Sequence, residues 1–139
     1  MRIFTGGCLC GRVRYSVDGV LDSIIMCHCR QCRKTSGHFV AATRTPTENL
    51  KISGAVTWFR SSSQARRGFC GTCGSQLFWQ PGDRRTTSVF AGSIDGETGL
   101  TVSSQIHVET QGDYYTLPDV PITVQAAIEG TAPEETADD

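Results

Sequence analysis

Cysteine is the residue type in this sequence with the widest range of chemistry, and its spacing along the chain is uneven. Seven cysteines occur in 139 residues. They form three packets: Cys8 and Cys10, then Cys27, Cys29 and Cys32, and finally Cys70 and Cys73. Thiols at such short intervals are typical zinc ligands. The spacing therefore predicts metal centres, and the question is how the packets combine.

The two outer packets suit one structural zinc site. In GFCGTCGS a glycine follows each thiol, and glycine lets the backbone curl closely under the sulfur atoms. In GGCLCGR the thiols stand at positions i and i+2 of an extended segment, so both point to the same side. Structural zinc takes four tetrahedral ligands. The predicted ligands are Cys8, Cys10, Cys70 and Cys73. Pairing the central packet with the last one is less favoured, because it would leave the first packet without partners.

The central packet then supplies three ligands, Cys27, Cys29 and Cys32, and leaves a fourth position open. Three thiolates on a zinc ion give a net charge of about −1 and a weak Lewis acid, which disfavours hydrolysis. A soft, electron-rich ion of this kind favours a further sulfur ligand and would remove the proton of an incoming thiol. The packet therefore predicts a reactive zinc that binds a thiol substrate.

Three other interpretations of the central packet stay open at this stage. Disulfides are disfavoured, because the number of cysteines is odd and thiols one residue apart bridge only with strain. A closed second site would need an imidazole from His38 or His107, since His28 faces away from its neighbours in an extended segment. A redox role for CRQC is the third, but the βαβ surroundings of a thioredoxin-like motif are missing.

The charge of the chain points to small anionic ligands. The net charge is −1, yet five of the fourteen acids lie in the last eleven residues, and eleven of the thirteen bases are arginines. A guanidinium can hold a carboxylate with two hydrogen bonds. The candidate substrate-binding residues near the thiols are Arg30, Arg33, Lys34, Arg66 and Arg67. Without the last eleven residues the chain has 13 bases and 9 acids. This excess of positive charge is too small to predict nucleic-acid binding.

Alternating hydrophobicity predicts the elements that position these residues. Short segments rich in β-branched and aromatic residues, such as RVRYSV, HFVAATR and AVTWFR, indicate a mainly β fold, either a sandwich or a domain of coiled sheets. One short helix is expected over about residues 30–36, ended by Gly37. The domain is expected to cover residues 1–128, and residues 129–139 to form an acidic disordered tail.

The sequence also favours a location. It contains neither a signal-like apolar run at its beginning nor a stretch of about 20 apolar residues that could span a membrane. The cytoplasm is therefore expected, with no membrane partner. Thiols are kept reduced there, which favours metal binding over disulfides.

Three segments in this order resemble the glutathione-dependent formaldehyde-activating enzyme family, which includes the centromere protein V domain. The segments are GGCLCGRVRYSV, CHCRQCRKTSG and GFCGTCGSQLFW, and the resemblance extends over about residues 3–120. It implies a mainly β fold of coiled antiparallel sheets built around a structural zinc, a fold shared with Rab-exchange chaperones. It also implies two zinc ions per chain, the structural one on the outer packets and the catalytic one on the central packet.

The activity implied by the resemblance is that of a carbon–sulfur lyase. It would join formaldehyde to glutathione to give S-hydroxymethylglutathione, or act on a related thiol adduct. The partner would be a small thiol such as glutathione. A non-enzymatic zinc module that binds protein or nucleic acid is the alternative, and the sequence leaves the oligomeric state open, with a homodimer among the options.

Overall fold

The computed structural model describes residues 2–124 and consists mainly of β-strands. One α-helix, α1, spans Arg30–Ser36, and short 3-10 helices lie at Thr47–Asn49, Ala91–Ser93 and Val108–Thr110. The strands are β1 (Ile3–Gly7), β2 (Arg14–Asp18), β3 (Ile24–Cys27), β4 (Val40–Pro46), β5 (Leu50–Ser53), β6 (Val56–Ser62), β7 (Ala65–Cys70), β8 (Gln76–Pro81), β9 (Thr86–Phe90) and β10 (Val102–Ile106).

The strands form two open sheets. The smaller has the order β1-β2-β5, and the larger has the order β10-β3-β4-β9-β8-β7-β6. Within residues 2–124 the strands pair antiparallel, except that β10 runs parallel to β3. The predicted mainly β class with one short helix is confirmed, and this one parallel pair is its exception.

The main core lies between the two sheets. Val13, Tyr15 and Val17 alternate along the chain and are all buried, as their spacing predicted. Tyr15 meets Phe78 of the larger sheet edge to face, with ring centroids 5.3 Å apart. Phe78 is fully buried and also stacks on Trp58 at 6.2 Å. Burial of these aromatic rings holds the sheets together.

Helix α1 follows β3 directly in the chain, and a cysteine caps its N-terminus. The Cys29 sulfur accepts a hydrogen bond from the Cys32 backbone N–H at 3.3 Å, as a serine or aspartate would at an N-cap. Gly37 ends the helix at φ 88°, the left-handed conformation that glycine adopts without strain. The predicted helix and its glycine end are confirmed.

Both ends of the chain lie outside the residues that the structure describes. The predicted tail, 129–139, lies outside the described residues, as do Met1 and the last four residues of the predicted domain. Within residues 2–124, no helix has the length and apolar character needed to cross a membrane.

An exposed ion pair ties the loop after β9 to the smaller sheet. Asp95 pairs with Arg14 and accepts a hydrogen bond from the Thr5 hydroxyl at 2.8 Å. These bonds, the one from Arg14 foremost, lower the pKa of Asp95 in the folded state. The stabilisation is therefore present above about pH 4, where the unfolded carboxyl titrates, and is lost as pH falls through the folded pKa.

We expect the urea midpoint of the zinc-loaded wild type to exceed that of zinc-loaded Asp95→Asn at pH 7, where the carboxylate is charged and the thiolates keep their metal. Because the ion pair is exposed, the difference should be small, and about 1 M sodium chloride should narrow it by screening the two charges. Circular dichroism at low and at high salt measures both midpoints. A difference that salt leaves unchanged would show that the ion pair does not contribute.

Candidate metal centres

The structure brings the first and last cysteine packets together in one cluster. The sulfur atoms of Cys8, Cys10, Cys70 and Cys73 all lie within 4.8 Å of one another. Cys8 and Cys10 are separated by 3.6 Å between sulfurs, and Cys10 and Cys70 by 3.8 Å. Four sulfurs at tetrahedral positions about 2.3 Å from a zinc ion would be about 3.8 Å apart. The donor set and its spacing therefore fit a structural zinc ion.

Backbone N–H groups surround this four-sulfur cluster. Val13 N–H donates to the Cys8 sulfur at 3.2 Å, and the N–H groups of Thr72 and Cys73 both point at the Cys70 sulfur at 3.4 Å. A hydrogen bond with the Ser75 hydroxyl is the main cause that lowers the pKa of Cys73 to about 5. Such donors stabilise thiolates, the form that binds metal.

The cluster also connects the two sheets. One pair of thiols lies between β1 and β2 of the smaller sheet, and the other lies at the turn between β7 and β8 of the larger. Gly74 closes that turn at φ 82°, with its N–H donating to the Cys70 carbonyl at 2.8 Å. Cys8 and Cys70 are buried against the main core. A metal ion bound here would link the two sheets at the edge of the core.

Cys27, Cys29 and Cys32 form a second cluster, with their sulfurs within 4.8 Å of one another. They come from the end of β3, the N-cap of α1 and its first turn, and they lie in a separate small core with Val40 and Phe90. Hydrogen bonds from the Cys27 and Cys32 thiols lower the pKa of Cys29 to about 2. Hydrogen bonding to the Cys29 and Cys32 sulfurs raises the pKa of Cys27. A hydrogen bond with Cys27 lowers the pKa of Cys32, but Cys29 and burial together raise it to about 11. The three-sulfur cluster thus favours one thiolate, and a soft metal ion would displace the other two protons on binding.

Within residues 2–124 no imidazole or carboxylate joins the three-sulfur cluster. His28 is fully buried, with Nδ1 at 2.6 Å from the Tyr115 hydroxyl and Nε2 at 2.8 Å from Gln105 Oε1. His38 is exposed beside Tyr115, and His107 Nδ1 faces Glu109 at 3.7 Å. The described residues therefore give no support to a site closed by histidine.

Of the five cationic residues singled out in the sequence, Arg67 lies against the three-sulfur cluster. Its side chain is buried, and Nη2 is 3.7 Å from the Cys32 sulfur and 3.4 Å from Gln31 Oε1. Its Nε and Nη1 atoms are buried without a hydrogen-bond partner in the described chain. The positive charge of Arg67 is among the causes that favour the thiolate forms of Cys29 and Cys32.

The other four cationic residues are distributed differently. Arg30 is half-buried at the start of α1, Lys34 is exposed on it, and Arg33 Nε donates to the Thr110 carbonyl at 2.9 Å. Arg66 points to the opposite face of β7 from Arg67, where it stacks on Trp58. The structure thus leaves Arg66 away from the three-sulfur cluster.

An aromatic wall lies close to the three-sulfur cluster. Phe39, His38, Tyr114 and Tyr115 contact one another, with ring centroids between 4.4 and 5.9 Å apart. The Tyr114 hydroxyl donates to the Gly37 carbonyl at 3.0 Å, at the end of α1. The two tyrosines stand out in the sequence as candidates for the wall of the substrate pocket, whereas Phe39 was not foreseen there, because HFVAATR has the pattern of an ordinary strand.

Fold and sites together define a mainly β protein with one four-cysteine and one three-cysteine cluster, each able to hold a metal ion. The profile of the family described as glutathione-dependent formaldehyde-activating enzyme matches residues 3–110, and the chain belongs to this family.

Two similar proteins accompany this match. An uncharacterized lyase of Schizosaccharomyces pombe is 26% identical over 114 residues, which cover 81% of this chain and 83% of the relative. The crystal structure of a Rhodobacter sphaeroides protein superimposes with a TM-score of 0.59 at 23% identity, covering 70% of this chain and 97% of that one. At that identity the second likeness concerns the fold alone.

Proposed function

We propose that the protein is a zinc-dependent carbon–sulfur lyase that joins formaldehyde to glutathione, or reverses that reaction. The observation that carries the proposal is the three-sulfur cluster, which no fourth cysteine, histidine or carboxylate joins among residues 2–124. Membership of the family and the name of the yeast relative support a lyase. The seven cysteines lie in two possible metal clusters and are not joined by disulfides, a usage of cysteine typical of a reducing compartment such as the cytoplasm.

The reaction makes modest demands on the protein. The thiol loses its proton, its sulfur forms a bond to the formaldehyde carbon, and the carbonyl oxygen ends as a hydroxyl that carries one proton. A zinc ion bound by three thiolates would supply a fourth position for the substrate sulfur and lower its pKa. Because thiols and formaldehyde combine unaided, orientation and deprotonation are the main contributions expected of the enzyme.

We assign the remaining tasks to residues around Cys27, Cys29 and Cys32. Arg67 offsets negative charge beside Cys32, from a buried position where charge interactions are strong. Arg30, Arg33 and Lys34 on α1 are the candidates for holding the substrate carboxylates. Phe39, Tyr114 and Tyr115 would exclude water from one side of the reacting groups.

Replacing Arg67 with methionine is expected to raise the KM for glutathione about tenfold, the loss typical of one charge-assisted interaction. A metal ion bound at the three-sulfur cluster should also be lost at a lower chelator concentration than in the wild type. Methionine has a similar volume, so the fold should tolerate the exchange. The matched control is Arg66→Gln on the opposite face of β7, which should leave both quantities unchanged. Unaltered metal retention and KM in Arg67→Met would contradict the assignment.

The activity itself is tested by exchange spectroscopy with 13C-labelled formaldehyde and glutathione at equilibrium. The rate of exchange between free formaldehyde and the thiol adduct is measured with and without protein. We expect the zinc-loaded protein to raise the rates of adduct formation and adduct breakdown by the same factor, because a catalyst leaves the equilibrium constant unchanged. An exchange rate equal to the uncatalysed one would refute the proposed function.

A further inference from the structure

A cavity of about 390 Å³ lies where β6 turns into β7, next to the end of β8. Its walls include Trp58, the turn at residues 81–82 and three arginines, Arg60, Arg66 and Arg84. Among residues 2–124, neither aspartate nor glutamate lines it. Its size falls within the range of small-ligand sites. The cavity is therefore large enough for a ligand, and its three charged lining residues are all positive.

Arg66 is held in a fixed position on one wall. Its guanidinium lies over the Trp58 ring at 3.8 Å, and its Nε donates to Gln80 Oε1 at 2.9 Å. Gln80 is buried and itself donates to the Thr87 hydroxyl at 2.9 Å. Stacking and hydrogen bonding of this kind pre-organise a guanidinium, so that less entropy is lost when it binds an anion.

The positive charges in the cavity lack a counterion within residues 2–124. Arg60 donates from Nε and Nη2 to the carbonyls of Ser62 and Ser63, which are neutral. The Arg84 guanidinium has no hydrogen-bond or ion-pair partner in the same part of the chain. Burial and the nearby charge of Arg84 lower the pKa of Arg66. Repulsion among these cations would be relieved by a bound anion.

We propose that this cavity binds a small oxyanion with two negative charges, either a phosphate group or a dicarboxylate. The planar forks of Arg66 and Arg84 match the oxygen spacing of both. The site is separate from the three-sulfur cluster, because adjacent residues of β7 point to opposite faces: Arg67 toward Cys32, Arg66 toward Trp58. The proposal is therefore independent of the lyase function.

The test is titration of the zinc-loaded, full-length protein with inorganic phosphate and with succinate, followed by calorimetry and by NMR of the Trp58 indole. Sodium chloride at matched ionic strength is the reference. Arg84→Gln and Arg66→Gln each remove one charge from the cavity, and Arg85→Gln removes one from the adjacent exposed position. Since the Arg84 side chain has no hydrogen-bond or ion-pair partner in the described chain and its backbone hydrogen bond to Pro81 is kept in the variant, the replacement should not affect folding.

We expect saturable binding of phosphate or succinate, weakened about tenfold in both cavity variants and unchanged in Arg85→Gln. Tighter binding of phosphate would identify a phosphate group as the ligand, and tighter binding of succinate a dicarboxylate. Absence of saturation, an equal loss in Arg85→Gln, or a Trp58 signal that does not shift would overturn the proposal.

Discussion

Replacing Cys70 with serine is expected to abolish the cooperative fold at room temperature. Cys70 is almost fully buried, belongs to the main core and contributes one of four sulfurs to the cluster that connects the sheets. Structural zinc contributes roughly 10–16 kcal/mol of binding free energy to folding, whereas domains are stable by only about 5–15 kcal/mol. Loss of one ligand therefore removes a large share of the total.

The measurement is thermal unfolding by circular dichroism, together with a zinc count. The matched control is Cys32→Ser, which removes a thiol from the other cluster and should retain the β-sheet spectrum and one zinc. Chelator treatment of the wild type should reproduce the Cys70→Ser result. A Cys70→Ser protein that melts cooperatively near the wild-type temperature would contradict a structural role for the four-sulfur cluster.

Replacing Cys29 with serine is expected to reduce the exchange rate of formaldehyde and glutathione to the uncatalysed level while leaving the fold intact. The Cys29 sulfur both belongs to the three-sulfur cluster and caps α1. Serine is a good N-cap, so the helix should survive. Its hydroxyl, however, keeps its proton at neutral pH and is a poor ligand for a soft metal site.

Cys29→Ser should therefore contain one zinc rather than two and unfold at nearly the wild-type temperature. Exchange spectroscopy and the metal count on the same sample separate the two effects. If the variant keeps wild-type exchange rates after losing one zinc, the reacting centre is not at this cluster, and the proposed mechanism is wrong even if the lyase activity is real.

Local patterns were sufficient for much of the fold. The alternation of Val13, Tyr15 and Val17 indicates a strand with one buried face, and the structure has β2 there. The position of Gly37 marks the end of α1 because a left-handed residue is needed there. The order of the cysteine packets, with glycines after Cys70 and Cys73, was enough to group the four thiols that the fold brings together.

Contacts between distant parts of the chain could not be predicted from local sequence patterns. The parallel pairing of β3 with β10 joins segments almost 80 residues apart and depends on how the whole larger sheet assembles. Arg66 and Arg67 look equivalent in sequence, yet they belong to different sites because a strand sends successive side chains to opposite faces. His28 was correctly expected to face away from the sulfurs, but its buried contacts with Gln105 and Tyr115 were not foreseen.

X-ray absorption and anomalous scattering at the zinc edge would count the metal ions and identify their ligands. We expect two zinc ions per chain. One should be bound by Cys8, Cys10, Cys70 and Cys73, and the other by Cys27, Cys29 and Cys32 plus a ligand that exchanges for added glutathione. A single ion, or a second ion closed by a fourth protein ligand that glutathione does not displace, would contradict this expectation.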